Sequence, residues 1–255
     1  MGPRNTEPST SPSTSRADAS GGDPLVSVLV AAYNEEDTVE SVVRRVAELP
    51  FRSEIVVVDD GSVDGTRALL EGLERSGEVE GLRVLAHERN RGKGAAVRTA
   101  IDASRGDIVV IQDADLEYDP RDLPRLLQPI LEGHADVVFG TRLRGGQPQR
   151  AHLFWHYAGN RFLSLLTNVL FNTTISDMEV GYKAFRGDLV RSLDLVSDDF
   201  AIEPELAAKI LRQRAVRVYE VPISYFGRTY EEGKKITWRD GIGAVRALIR
   251  FRLER

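Results

Sequence analysis

Three acids spaced two apart, Asp113, Asp115 and Glu117, follow directly on the apolar run Ile108 to Ile111. Such a run reads as a strand buried on both faces, as in a parallel sheet. Carboxylates at the end of a buried strand imply something positive in front of them. If the chain stays extended beyond Ile111, all three acids fall on one side. Mg²⁺ or Mn²⁺ suits that arrangement, because a hard cation prefers carboxylate oxygens and keeps waters and substrate phosphates as its other ligands. The competing reading is a solvated acidic loop, since Asp-x-Asp occurs by chance in many proteins.

What surrounds the acids narrows the choice. The chain has 255 residues, 42% hydrophobic, enough for one large domain with a sizeable core. Its net charge of −5 argues against a nucleic-acid binder. No cysteine is present, which removes disulfides, thiol nucleophiles and thiolate metal sites. His152 and His156 stand four apart on an expected helix, where a zinc pair is conceivable, but zinc normally needs a third protein ligand, which disfavours it. Residues 1–23 are rich in Ser, Thr, Pro and Gly and poor in apolar side chains, so a disordered tail is expected there, without the apolar core of a signal peptide. No apolar run is long enough to cross a bilayer.

From residue 25 strands and helices alternate. Strands are expected at 25–32, 54–60, 82–87, 107–112 and 136–140. Helices are expected at 37–48, opened by a capping signal at Asp37-Thr38, and at 64–75, 92–104 and 122–132. This is the pattern of βαβ units: an α/β domain with a mostly parallel sheet flanked by helices. The second half is less regular, with helices at 154–170 and 203–212, a short element at 182–185, a strand at 216–221 and a last helix from 238. The divisions are a tail over 1–23, a domain over 24–237 and a C-terminal basic amphipathic helix over 238–255.

Ligands of such sheets bind beyond the carboxyl ends of the strands. There the sequence places Tyr33-Asn-Glu35, Asp59-Asp60, Asp113-Ala-Asp115 and Arg142-Leu-Arg144. The result is an acid-rich crevice rimmed by arginine. Neither the dinucleotide fingerprint nor a Walker P-loop is present, and Gly92-Lys93-Gly94 is only a short glycine turn bearing a lysine.

Taken together, Tyr-Asn-Glu at 33–35, Val-Asp-Asp-Gly-Ser at 58–62, Asn-Arg-Gly-Lys-Gly at 90–94, Asp-Ala-Asp-Leu at 113–116 and Asp177 followed by Gly-Tyr-Lys-Ala-Phe at 181–185 resemble the family 2 glycosyltransferases with the GT-A fold. Within that family the chain is most similar to the polyprenyl-phosphate sugar transferases, such as dolichyl-phosphate mannose and glucose synthases. The resemblance runs from Leu25 to about Arg239. It implies that Tyr33, Glu35 and Asp60 or Asp59 hold the base and ribose of a nucleotide sugar, GDP-mannose or UDP-glucose. Lys93 and Ala114 would lie near the nucleotide. Asp113, Asp115 and Glu117 would bind Mg²⁺ or Mn²⁺ on the diphosphate. Ala31 and Ala32 stand where relatives usually have a proline, which loosens the loop without removing a ligand. Arg142, Arg161, Arg228 and Lys235 would face the acceptor, a polyprenyl phosphate. The implied enzyme is cytoplasmic, peripheral on the inner face of the membrane, and inverting.

A phosphate acceptor is already an anion and needs cations instead of a base, and arginine matches its geometry. A hydroxyl acceptor would need a general base, for which Asp177 and Glu203 are the candidates. Asp177 has a second role open to it, that of orienting a clamp arginine. Residues 226–255 carry eight basic and four acidic residues, and Ile242, Val245 and Ile249 share a face of the last helix opposite Arg246 and Arg250. Such a helix suits an anionic membrane surface, although the same pattern fits a helix packed on the domain. The rivals are the same donor chemistry on a hydroxyl acceptor, a nucleotidyltransferase, and a binding module without activity. A glycine-rich loop after the first strand would mark a nucleotidyltransferase, and Ala-Ala-Tyr-Asn-Glu-Glu stands there instead.

Overall fold

Seven strands form one sheet in the order β3-β2-β1-β4-β6-β5-β7. The structure is a computed structural model that describes residues 22–148, 150, 154–228 and 238–254. In chain order the elements are β1 (Val26–Ala32), α1 (Val39–Ala47), β2 (Ser53–Asp59), α2 (Thr66–Ser76), β3 (Leu82–Ala86), α3 (Lys93–Ala103), β4 (Ile108–Asp113), α4 (Leu123–Leu131) and β5 (Val137–Thr141). Then come α5 (Phe154–Phe171), β6 (Lys183–Arg186), α6 (Gly187–Arg191), α7 (Ile202–Leu211), β7 (Val218–Pro222) and α8 (Trp238–Leu253). The expected elements are all present, with α6 as an added single turn of helix. Of the tail expected over 1–23, only residues 22 and 23 are described, and Lys235 and His152 also lie outside the described residues.

The central strands are apolar throughout because both faces are covered. Val28, Val30, Ile55, Val57, Val109 and Val110 are all fully enclosed. Pairing is parallel from β3 to β4. Only β6 runs the other way, between β4 and β5. The chain leaves β1 toward β2 and β3, then returns to place β4 on the other side of β1. That reversal leaves a crevice at the carboxyl ends of β1 and β4, where open α/β sheets bind ligands. The antiparallel β6 brings residues 176–182 to the same end: Val110 pairs with Ala184, and continuing that register sets Gly181 beside Asp113.

Three expectations are corrected here. Asp37-Thr38 does begin a helix, but Thr38 makes no cap; its hydroxyl donates to the Ala114 carbonyl at 2.8 Å and ties the start of α1 to the turn after β4. The chain does not stay extended past Asp113: residues 114–118 turn, with Leu116 at φ 60°. Finally, α8 is not a free amphipathic helix. Ala244, Ala247, Leu248 and Phe251 are buried against α5 and α7, while Ile242 and Ile249 face outward. The small residues allow close packing, so the buried seam runs along them and not along the isoleucines. Among the described residues no helix is long and apolar enough to cross a membrane.

Candidate active site

A cavity of about 1230 Å³ opens at the carboxyl ends of β1 and β4. Tyr33, Glu35, Asp60, Lys93, Asp113, Ala114, Asp115, Glu117, Arg142 and Arg228 all line it. Asp59 and Asp177 do not, and neither does Arg161, which is exposed on the outer side of α5.

On the β1 side Asp60 is held by backbone N–H groups and a histidine from the next βα unit. Asp60 accepts the backbone N–H of Arg91 at 3.0 Å and of Gly92 at 2.8 Å, and meets His87 Nδ1 at 2.6 Å. It therefore shapes the loop that delivers Lys93. Asp59 turns away from the cavity and accepts the Ser62 N–H at 3.3 Å, closing the turn after β2. Gly92 sits at φ 100°, and a Cβ there would lie 2.3 Å from the Asp198 carbonyl. Only glycine lets the loop before α7 pack this closely, and that packing brings Glu203 to Lys93.

Lys93 Nζ lies 2.8 Å from Asp113 Oδ1 and 3.0 Å from Glu203 Oε1. Glu203 also pairs with the buried Lys183, so a chain of four alternating charges runs into the core. Burial alone would lower the Lys93 ammonium, but Asp113 and Glu203 offset it and hold it well above its ordinary value. Burial would raise Glu203; the two lysines overcome it and keep the carboxylate ionised. Gripped by two cations, Glu203 is unsuited to act as a base. Gly181 completes the setting, because a Cβ there would lie 2.4 Å from Asp113 Oδ2.

Asp113 and Asp115 face the cavity half-buried. Burial, with Asp113 and Glu117 close by, pushes the Asp115 carboxyl up to about 7. Glu117 is differently engaged. Its Oε1 accepts the Arg228 N–H at 2.7 Å, and its Oε2 accepts the Tyr225 hydroxyl at 2.8 Å. Both oxygens are thus spent on the segment 224–228. Among the described residues no three His, Cys, Asp or Glu side chains converge as a metal site. The donor set that fits a hard cation is therefore the pair Asp113 and Asp115, completed by oxygens from a ligand. Arg228 reaches Glu35 at 3.1 Å and donates to the Asp115 carbonyl at 2.5 Å, so it stands beside the acids and not with Arg142.

On the far wall Arg142 makes a two-pronged pair with Asp177, Nε to Oδ2 at 2.7 Å and Nη2 to Oδ1 at 2.8 Å. The Arg142 backbone N–H also donates to Oδ2, at 2.9 Å. Asp177 is wholly buried. Of its two open roles, the geometry matches the one that orients an arginine. Burial would lower Arg142, yet Asp177 holds it well above the ordinary value. Its guanidinium also lies 5.0 Å over the Tyr225 ring. Arg144 points elsewhere, half-exposed and paired with Glu220 at 3.0 Å.

The segment bearing Asp177 is pinned by distant residues. Ser164 of α5 accepts the Met178 N–H at 3.1 Å, Asn168 donates to the Ile175 carbonyl at 2.8 Å, and Glu220 of β7 accepts the Ser176 N–H at 2.7 Å. The same segment carries Glu179, a cavity-lining carboxyl that the sequence reading passed over. Its signal was the alternation Met178-Glu179-Val180, in which both flanking side chains are fully buried. Tyr118 and Tyr225, tilted at 44° to each other in the lining of the cavity with ring centroids 5.4 Å apart, were passed over as well.

One element faces the wrong way for a soluble helix. On α5 the inward residues are Leu163, Ser164 and Thr167, while Trp155, Phe162, Leu165 and Val169 form an outward stripe, from 57% exposed at Phe162 to 81% at Trp155. Trp155, His156, Asn160 and Leu163 of this helix also line the cavity.

The family model "Glycosyl transferase family 2" matches residues 27–193, more than half of the chain. Glycosyltransferase AglJ of Haloferax volcanii is 31% identical over 80% of this chain and 63% of its own length. An undecaprenyl-phosphate 4-deoxy-4-formamido-L-arabinose transferase of Pseudomonas aeruginosa is 31% identical over 82% of this chain and 60% of its own length. A dodecaprenyl-phosphate galacturonate synthase of Rhizobium johnstonii is 27% identical over 82% and 61%. The chain thus spans about three fifths of the length of these curated relatives. Among solved structures, glucosyl-3-phosphoglycerate synthase from Mycobacterium tuberculosis, in complex with Mn²⁺, UDP and glucosyl-3-phosphoglycerate, superimposes with a TM-score of 0.68 at 22% identity, covering 90% of this chain and 79% of that one. At that identity the likeness shows the fold, which is GT-A.

Proposed function

The chain belongs to glycosyl transferase family 2, and from that premise we propose that it moves a hexose from a nucleotide diphosphate sugar to a polyprenyl phosphate at a membrane surface. The observation that carries the acceptor is α5: its outer face is an apolar stripe, and its first three turns, through Trp155, His156, Asn160 and Leu163, line the cavity. A helix lying in the headgroup region with Trp155, Phe162, Leu165 and Val169 toward the acyl chains would set the cavity mouth at the bilayer. That placement replaces α8 as the membrane contact, since α8 spends its apolar seam on packing. The lipid substrates in the names of the relatives agree with it.

The cavity then divides by charge. Tyr33, Glu35 and Asp60 border the nucleotide, and the diphosphate lies over Asp113 and Asp115. A Mg²⁺ or Mn²⁺ ion held by those two acids would supply charge neutralisation to the leaving diphosphate. Arg228, tethered to the Asp115 carbonyl, stands ready for the same phosphates. Glu117 fastens the segment that carries Arg228, which is the role proposed for it in place of metal ligation. Arg142, oriented by Asp177, faces the acceptor phosphate. An oxygen of that phosphate bonds to the anomeric carbon on the face opposite the diphosphate, the carbon–oxygen bond to the diphosphate breaks with its electron pair, and the configuration inverts. No proton has to be removed, in keeping with the full commitment of Asp177 to Arg142. Arg161 would serve from outside the cavity, as a cation at the lipid surface.

The test is transfer of radiolabelled hexose from UDP-glucose or GDP-mannose, with Mn²⁺, into anionic vesicles carrying undecaprenyl phosphate. Label should appear in butanol-extractable lipid. Trp155→Ser with Phe162→Ser should cut vesicle-bound transfer about tenfold or more, yet spare transfer to a short-chain polyprenyl phosphate in detergent. Label confined to water-soluble products would overturn the acceptor.

A further inference from the structure

We propose that Glu179 receives a hydroxyl of the transferred sugar and so selects which hexose the enzyme accepts. The inference rests on the nucleotide-sugar reading of this cavity and adds a recognition residue to it.

Glu179 is aimed by its neighbours. Met178 and Val180 are both fully buried, and Glu179, in the turn at 178–179, lines the cavity between them. The Met178 N–H is fastened to Ser164, and the Gly181 N–H donates to the Tyr118 hydroxyl at 3.1 Å. The backbone is therefore held on both sides of Glu179.

The charges around it are already spoken for. Arg142 and Asp177 neutralise one another on one side, and Lys183 and Glu203 on the other. Glu179 Oε1 is enclosed and accepts no hydrogen bond from any described residue. Burial lifts this carboxyl to about 7; Lys183 and Arg142 pull it down, and Glu203 and Asp177 push it up. A buried acceptor without a donor is rare in folded proteins and calls for an explanation. Because the side chain lines the cavity, a small rotation of the carboxyl would present this oxygen to a ligand that brings the donor.

Position decides what that donor is. The chain Lys183–Glu203–Lys93–Asp113 leads to the acids that face the donor diphosphate, and Arg142 marks the acceptor phosphate. Glu179 stands in the segment between Asp177, which holds Arg142, and Gly181, which abuts Asp113, so it lies between the two phosphate subsites. The transferred sugar must occupy that interval, because its anomeric carbon exchanges one phosphate oxygen for the other. Phosphates offer acceptors to a carboxylate; a sugar offers hydroxyl donors. A carboxylate accepting a hydroxyl makes a short, charge-assisted bond whose direction separates one epimer from another.

The experiment is calorimetric titration with Mn²⁺ at pH 8, above the Glu179 value. UDP and GDP are compared with UDP-glucose, UDP-galactose and GDP-mannose, on the wild type, Glu179→Gln and Glu179→Ala. The isosteric Gln variant keeps the packing even if the Ala variant fails to fold. The wild type should bind one nucleotide sugar more tightly than its bare nucleotide. Glu179→Gln should reduce that advantage about 10- to 100-fold and leave the bare nucleotide within twofold. The preference for one hexose over its epimer should shrink in parallel. Variants that bind donors as the wild type does and lose only turnover would overturn the inference, because Glu179 would then serve the acceptor. So would equal losses for nucleotide and nucleotide sugar, or a wild type that gains nothing from the sugar. If neither UDP nor GDP binds the wild type, the donor-site reading falls and takes this inference with it.

Discussion

On the β1–β4 side of the cavity, the acid Asp60 is fixed by backbone N–H groups; on the β5–β6 side, a functional cation is fixed by a buried acid side chain. Asp60 takes its bonds from Arg91 and Gly92, in the loop it organises. Arg142 takes its orientation from Asp177, 35 residues on, and Asp177 is placed in turn by α5 and β7. The first design tolerates loss of a side chain, since the strands and turns remain. The second does not: a buried ion pair with one partner removed leaves an uncompensated charge, at about 3–5 kcal/mol. The donor side should therefore fail in chemistry with its fold intact, and the acceptor side in chemistry and stability together.

The largest expected effect is on the donor side. Asp113→Ala or Asp115→Ala should lower transfer by about 10³-fold or more, as should EDTA on the wild type, with Mn²⁺ restoring the latter. Thermal unfolding should change little, because both acids are half-buried at the cavity and Lys93 keeps Glu203 as its partner when Asp113 is lost. A drop in melting temperature as large as that of an acceptor-side variant would erase the contrast.

Next come Arg142→Ala and Asp177→Ala. Each should cost about 2–4 kcal/mol in kcat/KM and also destabilise the fold, and the double variant should be no worse than either single one, since the two act as a unit. Asp177→Asn should retain measurable transfer with an unchanged pH profile, because Asp177 orients and does not remove a proton. Additive losses, or a pH profile that flattens, would return Asp177 to the role of base.

Glu117→Gln tests the join between the two sides. With both oxygens engaged on 225 and 228, its loss should loosen the closing segment and raise KM several-fold, with the Mn²⁺ requirement unchanged. A weakened Mn²⁺ affinity would make Glu117 a ligand after all.

The smallest effect is on stability and lies away from the cavity. Asp136, at the start of β5, is held to about 2, chiefly by its hydrogen bond from Arg217. A folded value below the unfolded one stabilises above about pH 4 and is lost as the pH falls through about 2. Asp136→Asn should therefore cost about 1–2 kcal/mol at pH 7, discounted because both arginines are half-exposed, and nearly nothing at pH 2. A control at β1, where Val28 and Val30 pack without charge, should show no such pH dependence.

The sequence by itself determined the alternation of strands and helices, the parallel sheet, and the collection of Tyr33, Asp60, Asp113 and Arg142 at strand ends. These are legible because burial on both faces demands unbroken apolar runs, and polar residues that interrupt them stand out. Only the tertiary structure decided the rest. It turned the chain after Asp113 and sent Glu117 to Tyr225 and Arg228; it chose Asp60 over Asp59 for the cavity; it matched Asp177 to Arg142; it left Glu179 Oε1 without a donor among the described residues. It also faced the apolar side of α5 outward and that of α8 inward. Periodicity gives a helix two sides but not which one meets the core, and a carboxylate reads the same whether its partner is a metal, an arginine or a backbone N–H. Those choices depend on what distant segments bring within about 3 Å, and no local pattern records it.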